Sequence, residues 1–539
     1  MITTTKTPTN TAINSTFRSD VQETELPHIQ TAAKPASHIT SWLKRNAFNL
    51  HRWISIVALV PALVWSLSGT SHPFMAHWFK PPIAKEFLPP QPITAQAVTM
   101  SLAEVLRANR IASIQQFRLV EFQKATWFQV QLVNAPERLY FNTHTGTRLQ
   151  GGDEEYAVWL AKQYLGNPNA TITDKRIITR FDDEYRSINR LLPVWKISFH
   201  EGGYDVYVET SSGRMATYTT PARRAFLWVF QYMHNWGWLN GAETLRFVVI
   251  VLLLSVIIAA SLSGIALYIF LWGKGTKRTV NGLRKYHRSI GIAVSLSTLT
   301  FASSGMYHAL HKDRLRDEAG QPSIQEASTF TAFKAEELNF GTTQAALVPP
   351  PLFDVSAVRI NGEVLYRFAH SVKVGSAAND CCTPLQTTNA DTKGVKPARI
   401  RAATYINART QAALPHGDAR YARYVAAALA GVQEAVMVRE TLVTEFKGEY
   451  GFVNKRLPVQ RIDIASADKR ALYVETATGT LAADVRDSDR LEGFSFAYVH
   501  KLEFLKPLGA DVRDGAAVAL GFTNSLVAVL GLVLFMRRR

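Results

Sequence analysis

The sequence predicts an α+β membrane protein: four transmembrane helices in two parallel repeats, each repeat carrying an extracytoplasmic α+β domain. Three observations predict it. Four apolar runs are long enough to cross a bilayer, Lys and Arg gather beside them on a consistent side, and the second half of the chain echoes the first.

The apolar runs are 53–70, 247–272, 290–307 and 516–536. Crossing the hydrocarbon takes about 20 mostly apolar residues, because each adds about 1.5 Å to a helix that must cover about 30 Å. Pro61 falls inside the first run, where it kinks a helix without preventing insertion. Residues 1–47 are rich in Thr, Ala and Pro without apolar periodicity and are expected to be a disordered cytoplasmic tail, with no cleavable signal peptide before the first span. The divisions that follow are 48–71 (first span), 72–245 (first outer domain), 246–272 (second span) and 273–288 (basic loop). The second half continues with 289–308 (third span), 309–514 (second outer domain) and 515–539 (fourth span and end).

At 539 residues and a net charge of +17, the chain is long enough for several domains and strongly basic. The charge is not spread over one face as a nucleic-acid surface requires, and no motif of that kind accompanies it, which argues against a nucleic-acid partner. It collects instead in short segments: Lys44 and Arg45 before the first span, Lys274, Lys277, Arg278, Arg284, Lys285 and Arg288 between the second and third, and Arg537, Arg538 and Arg539 after the fourth. By the positive-inside rule these segments and both termini are cytoplasmic. The long connections then lie together on the other side, which makes the bacterial inner membrane and a periplasmic outer part the expected setting. Both connections contain alternating strand-like runs, as at 127–132 and 204–209. Cys381 and Cys382 are adjacent, too few for a disulfide framework and wrongly spaced for zinc; an incidental loop pair is favoured over a vicinal disulfide or a redox role.

Self-similarity organises the rest. A shift of 236 residues lays His51-Arg52 on His287-Arg288, Ser68-Gly69 on Ser304-Gly305, and His72 on His308. A shift of 266 lays Tyr207 on Tyr473, Gly213 on Gly479, Phe230 on Phe496 and His234 on His500; one residue of slippage later, Arg246 meets Arg513 and Gly264 meets Gly531. The run Glu184-Tyr185 with Leu192-Pro193-Val194 recurs as Glu449-Tyr450 with Leu457-Pro458-Val459. Each half is therefore span, outer domain, span, related by a pseudo-twofold axis along the membrane normal. A strand–turn–strand unit ending in Thr-Gly or Ser-Gly recurs at Gly146, Gly213 and Gly479, and a fourth copy has Gln411 where the others have glycine.

These features resemble the PepSY-associated transmembrane family, which includes iron-regulated inner-membrane proteins and ferric-siderophore reductases. The resemblance rests on the His-Arg starts and Ser-Gly ends of spans one and three, the Tyr-to-Gly turns, and the approaches to spans two and four from His234 to Arg246 and from His500 to Arg513. It covers about residues 45–539. It implies PepSY-like outer domains, haem bound between the helices, and electron delivery to ferric siderophores.

Six of the fourteen histidines belong to the duplicated framework: His51, His287, His72, His308, His234 and His500. His51 and His72 are 21 residues apart, about 31 Å of helix, so the pair brackets the bilayer, and His287 and His308 repeat the spacing. A histidine at a membrane interface often serves only to place a polar tip in water. Three pairs held at matching positions favour instead the axial ligation of haem, which takes imidazoles from two helices. The pairing stays open: His72 with His308, or either with His234 or His500. The expected cofactor is b-type haem, two or more copies, with the same histidines as iron ligands. His77 and His311, near the outer membrane surface, are the weaker metal-ligand candidates. Gly69, Gly264, Gly305 and Gly531 admit either a flat macrocycle or close helix packing. The Glu-Tyr and Leu-Pro-Val runs are expected to be structural rather than chelate-binding, and Trp236, Trp238 and Phe504 to be interfacial anchors.

The function expected from all this is electron transfer through the membrane that reduces ferric iron, in a ferric siderophore or other ferric chelate, for iron acquisition. No flavin or nicotinamide motif is present, so a separate cytoplasmic or membrane donor supplies the electrons. The alternatives are a non-catalytic protein that binds peptides or restrains a periplasmic peptidase, and an iron or siderophore transporter. The transporter reading is weakened by spans without internal charge.

Overall fold

The computed structural model of the chain describes residues 37–93, 97–271, 282–317, 332–348, 351–371 and 401–537. Cys381 and Cys382, most of the basic loop and residues 1–36 lie outside these.

The fold is mixed helix and sheet, with four helices long and apolar enough to cross a membrane. They are Ser37–Pro73, continued by a π-helical turn Phe74–Trp78, then Glu243–Leu271, Gly282–Asp317 and Ala510–Met536. The first begins at Ser37, so residues 37–47, expected to be tail, are helical: lengthening a helix that already exists costs far less than starting one. The first helix packs on the second and fourth, and the third packs on the same two, closing a ring of four. Ala58, Leu254, Ile257 and Ala302 make the small buried core between them. Outward, Val60, Leu252, Leu296 and Phe522 are exposed. Such a surface is costly in water and suited to hydrocarbon.

The remaining strands gather at one end of the bundle, called here the sheet end. A seven-stranded antiparallel sheet runs in the order Arg401–Asn407, Glu363–Ser371, Leu352–Ile360, Gln116–Phe122, Ala125–Gln131, Arg138–Asn142, Arg148–Leu149. Its seam is the pairing of Ser356 with Arg118, so the two long connections share one sheet. Ion pairs of Asp354 with Arg118 and with Arg367 (3.1 Å) reinforce the seam. One face carries a core of Val98, Leu102, Phe117, Phe128, Phe340 and Phe368. The other face is covered by two helices, Gly152–Leu165 and Gly417–Ala430, each of which also covers a four-stranded sheet.

Those two smaller sheets have the same antiparallel order. The first is Ile172–Ile178, Val194–Phe199, Asp205–Glu209, Arg214–Thr219; the second is Met437–Val443, Val459–Ile464, Ala471–Glu475, Thr480–Val485. The Glu-Tyr runs brace the loops before their second strands. Tyr185 stacks on Tyr207 and donates to the Leu191 carbonyl at 2.7 Å; Tyr450 stacks on Tyr473 and donates to the Arg456 carbonyl at 2.8 Å. Both tyrosines are buried, in keeping with a structural role. The sheets are tied together by charge. Arg456, 6 % exposed, meets Glu209 at 3.1 Å and Glu475 at 2.7 Å, and Arg214 also pairs with Glu475.

The strand–turn units form as expected, including the one without glycine. Gly146 has φ 68° and its N–H donates to Asn142 at 2.9 Å; Gln411 has φ 60° and its N–H donates to Asn407 at the same distance. Asn407 Oδ1 accepts from the N–H groups of Arg409 and Thr410, as Asn142 does from those of His144 and Thr145. These bonds hold the tip and offset the penalty of a left-handed glutamine.

Candidate functional site

The six framework histidines divide into a group of four at the sheet end and a pair at the far end. Short helical segments carry His234 and His500 to the bundle: Pro221–Val229 runs into a π-helical turn Phe230–His234, and Asp487–Phe494 into Ser495–His500. Each segment lies against a long helix, the first helix for His234 and the third for His500.

At the sheet end the rings form a ladder. His72 lies 5.7 Å from Phe230, and Phe230 stacks on His234 at 4.6 Å and 15°. His308 stacks on Phe496 at 4.5 Å and 21°, and Phe496 on His500 at 4.9 Å and 11°. The two arms meet where His234 and His500 face each other, centroids 6.4 Å apart and planes at 76°. The structure brings together His234 with His500, a pairing not among those left open by the sequence, which each joined His72 or His308 to a partner. His72 and His308 are the outer rungs. His51 and His287, at the far end, lie within electrostatic reach of each other.

Four glycines explain how four of these rings reach their places. A Cβ on Gly69 would meet His234 at 3.5 Å, on Gly305 His500 at 3.8 Å, on Gly264 His51 at 3.1 Å and on Gly531 His287 at 3.2 Å. Each imidazole thus lies against bare helix backbone. Each also faces the carbonyl four residues before its glycine: Trp65, Phe301, Ala260 and Val527 respectively. Of the two roles open to these glycines, admitting a neighbour's histidine ring is what the geometry displays.

With each serine proton placed on its own helix carbonyl, one tautomer satisfies these partners. Ser68, Ser263 and Ser304 spend their single proton on the carbonyls of Val64, Ala260 and Phe301, the last two at 2.9 and 3.1 Å. Their oxygens therefore accept from Nδ1–H of His234 (3.1 Å), His51 (3.0 Å) and His500 (3.0 Å). His287 Nδ1 is 3.2 Å from the Val527 carbonyl, which only accepts. All four rings then carry their proton on Nδ1 and leave the Nε2 lone pair free, the arrangement of a histidine prepared to bind a metal.

Three histidines at the sheet end are held by carboxylates, and His72 is not one of them. His308 Nδ1 pairs with Glu492, His311 Nε2 with Asp489 at 2.9 Å, and His77 Nδ1 with Asp514 at 2.8 Å. His77 and His311, the weaker metal candidates, are placed as ion-pair partners, and among the described residues no group of three or more His, Cys, Asp or Glu is arranged to hold a bare metal ion. Trp236 packs on Trp65 at 5.5 Å, while Trp238 and Phe504 are more than half exposed as an interfacial anchor requires. Ser263 and the three carboxylates escaped the sequence reading. Ser263 had a signal, since it precedes Gly264 as Ser68 and Ser304 precede their glycines. Asp489 and Glu492 stand one turn apart on the helix that leads to His500, which is visible only once that helix is known.

No family model and no curated protein matches the chain.

The donor set fits a haem iron, which takes two axial ligands from the protein and needs no third. Two imidazoles bound at about 2 Å on opposite sides of one metal have centroids about 6 Å apart, close to the separation of His234 and His500. The glycine contacts give a test of the far-end site. Gly264→Val forces its side chain into His51 and is expected to cost about 1–3 kcal/mol in thermal unfolding, the usual penalty of overpacking. Gly305→Ala, where the contact is an ordinary 3.8 Å, should unfold as the parent does.

Proposed function

We propose that the protein is a haem-containing electron carrier that reduces ferric iron held in a chelate, as the PepSY-associated transmembrane resemblance implies. The observation that carries the reading is the His234–His500 pair, with both rings tied through Nδ1 and both Nε2 atoms free. We assign these two residues to one haem iron, and His51 and His287 to a second at the far end. The matching glycine contacts, ring stacks and sheet orders of the two halves support two copies of one unit, each with a PepSY-like outer domain. In this reading the setting is the bacterial inner membrane, with both termini cytoplasmic and the sheet end in the periplasm.

A bound haem supplies reversible one-electron exchange between ferric and ferrous iron. The chain does the rest. Ser68, Ser263 and Ser304 and the Val527 carbonyl hold the imidazoles at fixed orientation, so that no ring turns when the charge at its Nε2 changes. The apolar helix faces beside the rings lower the local dielectric and raise the strength of every nearby charge. Phe230 and Phe496 stack flat on the inner histidines and stand between them and the outer ones. Reduction loosens an oxygen-rich chelate because the less charged, softer ion binds hard ligands less tightly.

The test is reoxidation. Protein reduced with dithionite and freed of excess reductant should return to its oxidised spectrum on mixing with ferric chelates, releasing ferrous iron that ferrozine traps one for each electron lost. Reduced protein that ferric chelates leave unchanged, while oxygen still oxidises it, would remove the ferric-reductase assignment.

A further inference from the structure

At the far end of the bundle a second pair of repeat-matched side chains stands beside the histidines. Arg52 follows His51, and Arg288 follows His287. The helices cross them over. His51 lies against Gly264 of the second long helix and His287 against Gly531 of the fourth. Arg288 places its guanidinium carbon 5.5 Å from the Tyr268 ring, on the helix that cradles His51. Arg52 places its own 4.6 Å from the Phe535 ring, on the helix that cradles His287. Tyr268 comes four residues after Gly264, and Phe535 four after Gly531, so each ring shares a face with its glycine, one turn nearer the far tip. Each cradle helix thus receives an imidazole from one half of the chain and, one turn beyond, a guanidinium from the other.

The ordinary use of an arginine at a helix end is to reach lipid headgroups. Two observations set this pair apart. Both guanidiniums lie over half-buried rings of a neighbouring helix, and Arg52 Nε is buried with no hydrogen-bond partner among the described residues. Their charge is also unbalanced. Residues 37–60, 258–298 and 522–539, the far parts of the four helices with the loop between the second and third, contain no Asp or Glu. Fixed cations without local counter-charge attract an anion, and a buried donor left unpaired is costly until one arrives.

We propose that Arg52 and Arg288 bind the two propionate carboxylates of the far-end haem and so set which edge of it faces the far tip. This rests on the haem reading above, which assigns the axial histidines and leaves the rotation of the macrocycle between them open. A b-type haem carries both propionates on one edge, and a planar guanidinium takes a carboxylate through two parallel N–H donors. Two arginines, each one turn beyond an imidazole, match that edge in number and in charge. Phe535 and Tyr268 hold the two guanidiniums in place.

The test is a coupling cycle between the arginines and the carboxylates. The full chain, purified in neutral detergent from cells starved of haem precursor, is titrated with haem b and with its dimethyl ester, which lacks the two charges; the Soret band reads each binding. Arg52→Gln with Arg288→Gln should weaken haem b about ten-fold or more at one of two sites, as the loss of charge-assisted hydrogen bonds does, and leave the ester bound as in the parent. Arg52→Lys with Arg288→Lys should keep most of the parent's affinity for haem b. A Gln pair that binds haem b as the parent does overturns the proposal. So does a Gln pair that loses both porphyrins alike, because the arginines would then hold helices rather than carboxylates. If phosphatidylglycerol added to the micelles abolishes the difference between the parent and the Gln pair, the arginines belong to lipid phosphates and the proposal falls as well. A parent that binds neither porphyrin refutes the haem reading itself, whereas binding without coupling refutes only the role of the arginines.

Discussion

His234→Ala should strip the protein of the haem at the sheet end, and His500→Ala should do the same. If both residues serve one iron, as proposed, the double variant should lose no more than either single one; strong non-additivity is the mark of groups acting as a unit. His51→Ala and His287→Ala should behave likewise at the far end, and combining one change from each pair should leave no haem at all. The haem-to-protein ratio, from the pyridine haemochrome and a protein assay, reads each case. Ser68→Ala and Ser304→Ala should weaken haem retention about 10–100-fold without abolishing it, because they remove only the orienting bond to Nδ1. His72→Ala should keep its haem, since the ring His72 packs on is Phe230 rather than His234 or His500. If His72→Ala empties the site and His234→Ala does not, the ligand assignment is wrong.

Arg456→Ala should be the most destabilising single change outside the membrane, at about 3–5 kcal/mol. It leaves Glu209 and Glu475, 2 % and 0 % exposed, as buried carboxylates that have lost their shared cation, and only Glu475 keeps Arg214. The loss should come from the unpaired charges rather than the lost volume. Replacing all three together by Arg456→Met, Glu209→Gln and Glu475→Gln should therefore recover most of it, as measured by thermal unfolding in detergent. The same cluster sets an acid limit. Burial alone pushes the Glu475 carboxyl up, but Arg214 and Arg456 outweigh it and hold it at about 2 against an ordinary 4.5. A depressed carboxyl stabilises fully above its unfolded value and loses that contribution as pH falls through the folded one. Stability should thus decline from about pH 4.5 towards pH 2, and the triple variant should decline less over the same window.

The four long helices were legible because the bilayer demands about 20 apolar residues in a row, a pattern that does not depend on what surrounds it. The turns at Gly146 and Gln411 were legible for a similar reason, since the hydrogen bonds that make them are local. The shared sheet was not. Leu352–Ile360 alternates like any strand, and nothing in its residues names Gln116–Phe122 as its neighbour. The candidate site was half visible. Duplication singled out His234, His500 and the four glycines, but spacing along one chain cannot say that Gly69 makes room for His234 or Gly264 for His51. Those are contacts between helices some 170 to 210 residues apart in sequence, and only packing decides them. The carboxylate on His308 escaped because Glu492 has no counterpart in the first half, where Phe226 occupies the matching position.

The visible spectrum of the full chain, purified in detergent from cells supplied with haem precursor, tests the central claim most directly. The paired imidazoles predict a Soret band that shifts to the red on dithionite reduction, together with sharp α and β bands, as six-coordinate low-spin haem gives. A well-folded protein without a Soret band would contradict the claim, and so would a haem spectrum of the five-coordinate, high-spin type.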